Sequence, residues 1–224
     1  MKTCSLPFLL CLFICSLAVP SSAADKVPKE MRPKLLREGK VILEDKFDGP
    51  ELSPEWKVPK GEFAGTSSIE DGVMVIDSGT GKQGALRRMF ATPLKDASVQ
   101  LLMKPSAVNW MGVRFLSGDE EADRHWKVGT FIFAAGAVRV LEPEDEGKGR
   151  GNRVVKGAKF DLGADDWWRV CVEYRGKKML VRVNGKEVME VEHPGAADEK
   201  VGLLVNLYGG RGRVDEVVVM ASGG

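Results

Sequence analysis

Cysteine is scarce in this 224-residue chain. Cys4, Cys11 and Cys15 crowd the start, and only Cys171 lies in the body. A body with one cysteine forms no internal disulfide, so its core must hold it together. The two histidines, His125 and His193, and the lack of any Cys-x-x-Cys or His-x-His spacing exclude a familiar transition-metal site. Charge of one sign is also missing: 33 Lys plus Arg stand against 32 Asp plus Glu. A balanced chain has no global pull toward nucleic acid or an anionic membrane, and nucleic acid is not an expected partner. Helical periodicity is absent too. After Gly39 no segment sustains it over three turns, which excludes a bundle and an alternating α/β architecture.

What is present begins with one apolar run, Leu6 to Val19, after Lys2 and before Pro20-Ser-Ser-Ala-Ala24. This order predicts a secretory signal peptide over residues 1–23 and a secreted or periplasmic product. The run is shorter than the ~20 apolar residues of a membrane span, so no span is expected in the mature chain. Loss of Lys2 with the leader takes the net charge from +1 to zero. Residues 24–40, basic and carrying Pro28 and Pro33, read as a linker or a docked arm.

From Val41 the pattern is strand after strand. In Asp166–Glu192, Val170, Val172 and Tyr174 alternate with Arg169, Glu173 and Arg175, and Met179, Val181 and Val183 alternate with Arg182 and Asn184. A period of two predicts strands buried on one side only. Arg175-Gly176-Lys177 and Asn184-Gly185 predict the turns between them. Such a meander needs a second sheet over its apolar face. Further strands are predicted at Val41–Phe47, Val73–Asp77, Ala85–Phe90, Ala97–Met103, Trp110–Leu116, Trp126–Phe133, Val138–Glu142, Val154–Phe160, Val201–Leu207 and Val214–Met220. The expected fold is all-β, an antiparallel jelly-roll sandwich spanning 41–221.

Several landmarks fall in a familiar order. Asp45-Lys-Phe-Asp-Gly-Pro-Glu-Leu-Ser-Pro-Glu-Trp56 resembles the opening strand and loop of secreted concanavalin A-like sandwiches. Glu70-Asp-Gly-Val-Met-Val75 resembles their second hairpin. Trp168-Arg-Val, Val183-Asn-Gly-Lys-Glu-Val188, Val201-Gly-Leu203 and Val214-Asp-Glu-Val-Val-Val219 resemble the closing strands. Within that superfamily the chain looks most like exported 3-keto-disaccharide hydrolase-like domains, with laminin-G-like domains beside them. Where the former usually read Ser-Gly-Ile-Phe-Phe-Arg, this chain reads Met111-Gly-Val-Arg-Phe-Leu116. The strand after it, His125-Trp-Lys-Val-Gly-Thr-Phe131, lacks their Glu and Gln. The resemblance implies a carbohydrate partner and leaves three activities open: sugar binding, glycoside cleavage by a hydrolase or lyase, and laminin-G-like adhesion.

Alternation supplies the candidate site. Met111, Val113 and Phe115 read as core, so Trp110 and Arg114 face outward. Val201, Leu203, Val205 and Leu207 read as core, so Asn206 and Tyr208 face outward. If both outward faces share one concave sheet, Trp110, Arg114, Asn206 and Tyr208 line a sugar groove, with rings to stack and polar groups to meet hydroxyls. The plain alternative is that Trp110 and Tyr208 cap the sandwich edge. For cleavage, His125 is the candidate general base and Arg114 the polarising group; a surface histidine is the plain alternative. Glu142-Pro-Glu-Asp-Glu146 offers the only close carboxylates on a strand, and reads better as a solvated loop. No cofactor is required. A structural calcium is expected where Asp45 and Asp48 come near Asp215, if the terminal strands pair.

Overall fold

The computed structural model describes residues 32–36, 39–59, 63–105, 108–118, 126–144, 151–161, 163 and 166–222. In chain order the strands are β1 (Gly39–Asp45), β2 (Trp56–Lys57), β3 (Thr66–Glu70), β4 (Val73–Asp77), β5 (Gln83–Leu94), β6 (Ala97–Lys104), β7 (Trp110–Leu116) and β8 (Gly129–Phe133). They continue as β9 (Ala137–Pro143), β10 (Asn152–Lys159), β11 (Trp168–Arg175), β12 (Lys178–Val183), β13 (Lys186–Glu192), β14 (Lys200–Tyr208) and β15 (Arg211–Ser222). Every recorded pairing is antiparallel. One sheet of eight strands runs β13-β12-β11-β6-β15-β4-β3, with β1 also paired to β15; the other, of seven, runs β10-β9-β8-β7-β14-β5-β2. The architecture is the jelly-roll sandwich that the alternation predicts.

The two sheets enclose one main core. The seven-stranded sheet contributes Leu86, Met111, Val113, Phe115, Val140, Val205 and Leu207, and the eight-stranded sheet contributes Val99, Leu101, Val170, Val172, Val181 and Val219. Each of these side chains buried against the opposite sheet is worth roughly 1.5–3 kcal/mol relative to exposure. Turn chemistry sets the hairpins: Asn184 and Gly185 sit at φ 49° and 79°, and Gly176 at φ 53°. At Asn184-Gly185 both central positions take a positive φ, which Asn and Gly tolerate; at Gly176-Lys177 only the first does, and glycine fills it.

Three sequence expectations are corrected. The strand expected over Trp126–Phe133 starts at Gly129, and Trp126 lies outside it, folded onto the sheet. The two-residue strand β2 carries too short an alternation to be read from sequence. The meander is not buried on one side only. On its outward face Arg169, Cys171, Glu173 and Arg182 are all buried. Residues 32–36 lie across them: Glu173 accepts the backbone N–H groups of Leu35 at 2.7 Å and Leu36 at 3.5 Å, and Arg182 donates to the carbonyl of Arg32 at 2.8 Å. Arg182 also pairs with Glu173 at 2.8 Å, and Glu216 pairs with Arg169. Polar groups at alternate positions therefore read as solvent-facing, yet they are satisfied from a distant segment.

Candidate functional site

The site begins with register. In the middle of the seven-stranded sheet, β14 lies between β5 and β7, and β7 pairs with β8 on its other side. Tyr208 sits opposite Trp110, Asn206 opposite Gly112 and Leu204 opposite Arg114. On β8, Phe133 sits opposite Trp110 and Phe131 opposite Gly112. Since side chains alternate, all of these share the sheet face turned away from the core. The four residues predicted to form a groove, Trp110, Arg114, Asn206 and Tyr208, are thus brought onto one face of two adjacent strands.

The aromatic rings pack in a defined order. Trp110 and Tyr208 lie nearly parallel, 14° apart with centroids at 6.1 Å, and both stay partly exposed. Phe131 meets the Trp110 edge at 5.2 Å and Trp126 at 5.7 Å. Gly112 leaves room at the centre: a Cβ there would stand 2.7 Å from Asn206 Oδ1 and 2.9 Å from the Phe131 ring. Gly129 does the same beside Arg114, whose Cβ would be 2.9 Å away. The two glycines let polar side chains lie flat among the rings.

Two polar groups on this face are poorly satisfied. Arg114 is 6% exposed, its Cζ lies 4.4 Å from the Trp126 ring centroid and 5.5 Å from that of Phe131, and its Nε has no hydrogen-bond partner. Burial pushes its pKa down to about 9, with Tyr174 opposing weakly, so it remains a cation at neutral pH. The ring faces offset part of the lost hydration, at roughly 2 kcal/mol for a desolvated contact. Asn206 is 1% exposed, and among the described residues neither Oδ1 nor Nδ2 has a partner. A buried amide left unpaired costs about 1–3 kcal/mol, so an orphan of this kind calls for an explanation. Sequence reasoning missed Trp126, Phe131, Gly112 and Arg139, whose guanidinium stands 4.6 Å above the Phe133 ring. Only the β7–β8–β9 register reveals them, and no local pattern encodes it.

The other candidates fall elsewhere. His125 lies outside the described residues, as do 145 and 146 of the acidic stretch. Glu142 ends β9 half-buried, where it pairs with Arg153 and meets His193 Nε2 at 2.5 Å. Burial raises its pKa, but the hydrogen bonds from His193 and Arg153 outweigh that and hold it below the usual value. The terminal strands do pair, with Asp45 opposite Val217. Asp45 is occupied locally: Oδ1 accepts from Phe47 N at 3.0 Å and Oδ2 from Trp56 Nε1 at 2.8 Å. Burial pushes the Asp215 carboxyl up to about 6; the Glu216 backbone N–H opposes this, and the charges of Glu216 and Asp48 add to it. Among the described residues no group of three or more His, Cys, Asp or Glu is placed to hold a metal ion.

Solved structures share this architecture. A non-specific endo-β-1,3(4)-glucanase of glycoside hydrolase family 16 aligns over 91% of this chain and 100% of its own, with a TM-score of 0.63 at 13% identity. The endo-β-1,3-glucanase of Pyrococcus furiosus aligns over 85% and 98%, with a TM-score of 0.64 at 14% identity. The carbohydrate-binding module CBM66 of Bacillus subtilis aligns over 73% and 93%, with a TM-score of 0.55 at 13% identity. No protein-family model matches the sequence, and no curated protein matches it. At these identities the likeness shows the fold alone: the chain is a jelly-roll β-sandwich. Among the described residues no helix is long and apolar enough to cross a membrane.

Proposed function

We propose that this is an exported carbohydrate-binding domain that recognises a sugar on the outward face of its seven-stranded sheet. The observation that carries the reading is the Asn206 amide, buried on the face that bears Trp110, Phe131 and Tyr208, with neither polar atom paired among the described residues. A sugar hydroxyl both donates and accepts, which is what an amide of that kind lacks, and the exposed faces of Trp110 and Tyr208 suit stacking against a pyranose ring. Neighbours that are carbohydrate-binding modules and glucanases support a glycan as the partner.

Cleavage is the weaker alternative. A retaining or inverting glycosidase uses two carboxylates on either side of the scissile bond. The strands of this sheet hold one, Glu142, and it is engaged by His193 and Arg153. A 3-keto-disaccharide hydrolase or lyase using His125 and Arg114 predicts turnover of 3-keto-glycosides that collapses in His125→Ala. A laminin-G-like adhesion role predicts protein binding that sugars do not compete. Affinity electrophoresis against a polysaccharide panel tests the preferred reading. Trp110→Ala and Tyr208→Ala should each weaken retention at least about tenfold, in line with the loss of roughly 1–3 kcal/mol of stacking per ring. Unchanged retention in both variants sinks the site.

A further inference from the structure

We infer that the glycan taken by this face is a polyanion, whose carboxylate or sulfate groups are met by Arg114, Arg139 and Lys159, which share the sheet face with the Trp110–Tyr208 pair. The inference rests on the carbohydrate reading and narrows its substrate class. It comes from a segregation of charge that the balanced composition hides. The strands of the seven-stranded sheet carry nine Lys or Arg and a single carboxylate, Glu142. The strands of the other sheet carry nine Lys or Arg and ten Asp or Glu. The strands of one layer therefore carry a surplus of cations while the chain as a whole is nearly neutral.

Parity sorts these cations. Those at core-side positions are already engaged: Arg88 with Asp45 and Glu55, Lys156 with the Glu190 carbonyl, and Lys200 with the carbonyls of Lys95 and Ala196. The outward set is Lys57, Arg87, Arg114, Arg139 and Lys159, and the outward face has no carboxylate on any of its strands. Arg139 and Lys159 are exposed, and among the described residues neither pairs with an acid. Arg139 instead stands over Phe133, beside Trp110. Arg114 is buried against two rings and, among the described residues, has no acidic partner, so an incoming anion would relieve the cost of that burial. A neutral sugar can accept hydrogen bonds from these groups but does not neutralise their charge. A nucleic acid is also a polyanion with stackable rings. The buried amide at the centre, able to donate and accept at once, favours a ligand rich in hydroxyls.

The test is affinity electrophoresis and calorimetry of the intact protein with polygalacturonate, a sulfated galactan, carboxyl-reduced polygalacturonate, the desulfated galactan, laminarin and single-stranded poly(dT). The expected result is binding to one of the two acidic polymers at least about tenfold tighter than to its uncharged counterpart, weakening steeply with salt. Carboxylate and sulfate are told apart by which acidic polymer binds. Arg139→Gln, an exposed substitution that leaves the fold intact, should weaken that binding several-fold, and Trp110→Ala should abolish it. Equal, Trp110-dependent binding of a charged polymer and its neutral counterpart overturns the polyanion inference and leaves the carbohydrate reading standing. Tighter binding of poly(dT) with the same residue dependence overturns both in favour of nucleic acid. Acid binding indifferent to Trp110 and Arg139, or no binding at all, overturns both.

Discussion

Asn206→Val separates a binding amide from a structural one. In the free protein the amide is buried with no partner for either polar atom, so it subtracts about 1–3 kcal/mol from stability. Valine removes that term, keeps bulk near the backbone and suits a central strand. It also avoids pressing a larger group on Gly112 and Phe131, where space is tight. The unfolding free energy should therefore rise by about 1–2 kcal/mol, and Tm by roughly 2–8 °C for a domain of this size. The same change should cost binding, since the ligand hydroxyl facing residue 206 is then left unpaired. A penalty of about 1–3 kcal/mol corresponds to roughly 5- to 150-fold in Kd. Denaturant melts and isothermal titration with the polysaccharide selected by the panel read both effects on one protein. A variant that gains stability and loses affinity fits a residue kept for its ligand. A variant that loses more than about 1 kcal/mol of stability refutes the reasoning, because the amide would then be satisfied at rest.

Other consequences follow from the same geometry. Gly112→Ala places a methyl 2.7 Å from Asn206 Oδ1 and against the Phe131 ring, and should lower stability by about 1–3 kcal/mol, read by chemical denaturation. Glu173→Gln leaves one acceptor oxygen to serve both the Leu35 and Leu36 amides and Arg182, and removes the negative charge facing Arg182; a loss of about 3–5 kcal/mol and faster proteolysis near residues 32–36 are expected. A native carboxyl raised above its unfolded value is destabilising when ionised, so the contribution of Asp215 improves as pH falls from above 6 toward 4. Asp215→Asn, which keeps the acceptor for Glu216 N, should thus stabilise the protein at pH 7–8 and lose that advantage near pH 4 in urea melts across pH. If calcium sits between Asp48 and Asp215, millimolar calcium raises Tm of the wild type at pH 7 and not of Asp215→Asn; no shift in either removes the ion.

The fold was legible because burial toward the core is periodic. Val170, Val172 and Tyr174 alternate with polar neighbours, and that alone predicts the strand and its inward face. The same alternation placed Trp110, Arg114, Asn206 and Tyr208 outward, and the pairing of Tyr208 with Trp110 then joined them. Two further properties were not legible, for one reason. The burial of Glu173 beneath residues 32–36 and the crowding of Arg139, Phe133 and Phe131 beside Trp110 both depend on which strands are neighbours. Strand order in a jelly roll is set by long connections, not by local pattern. Charge shows the limit best. Summed along the chain it cancels, and the cancellation argued against a global pull toward nucleic acid or an anionic membrane. Summed over the strands of the seven-stranded sheet it does not cancel, because most of the chain's acids lie in the segments between strands. Attraction of a ligand depends on the field at the surface it meets, within about 8 Å at physiological salt, and not on the net charge of the whole molecule. A neutral composition therefore says nothing against a face that carries Lys57, Arg87, Arg114, Arg139 and Lys159 without one strand carboxylate beside them.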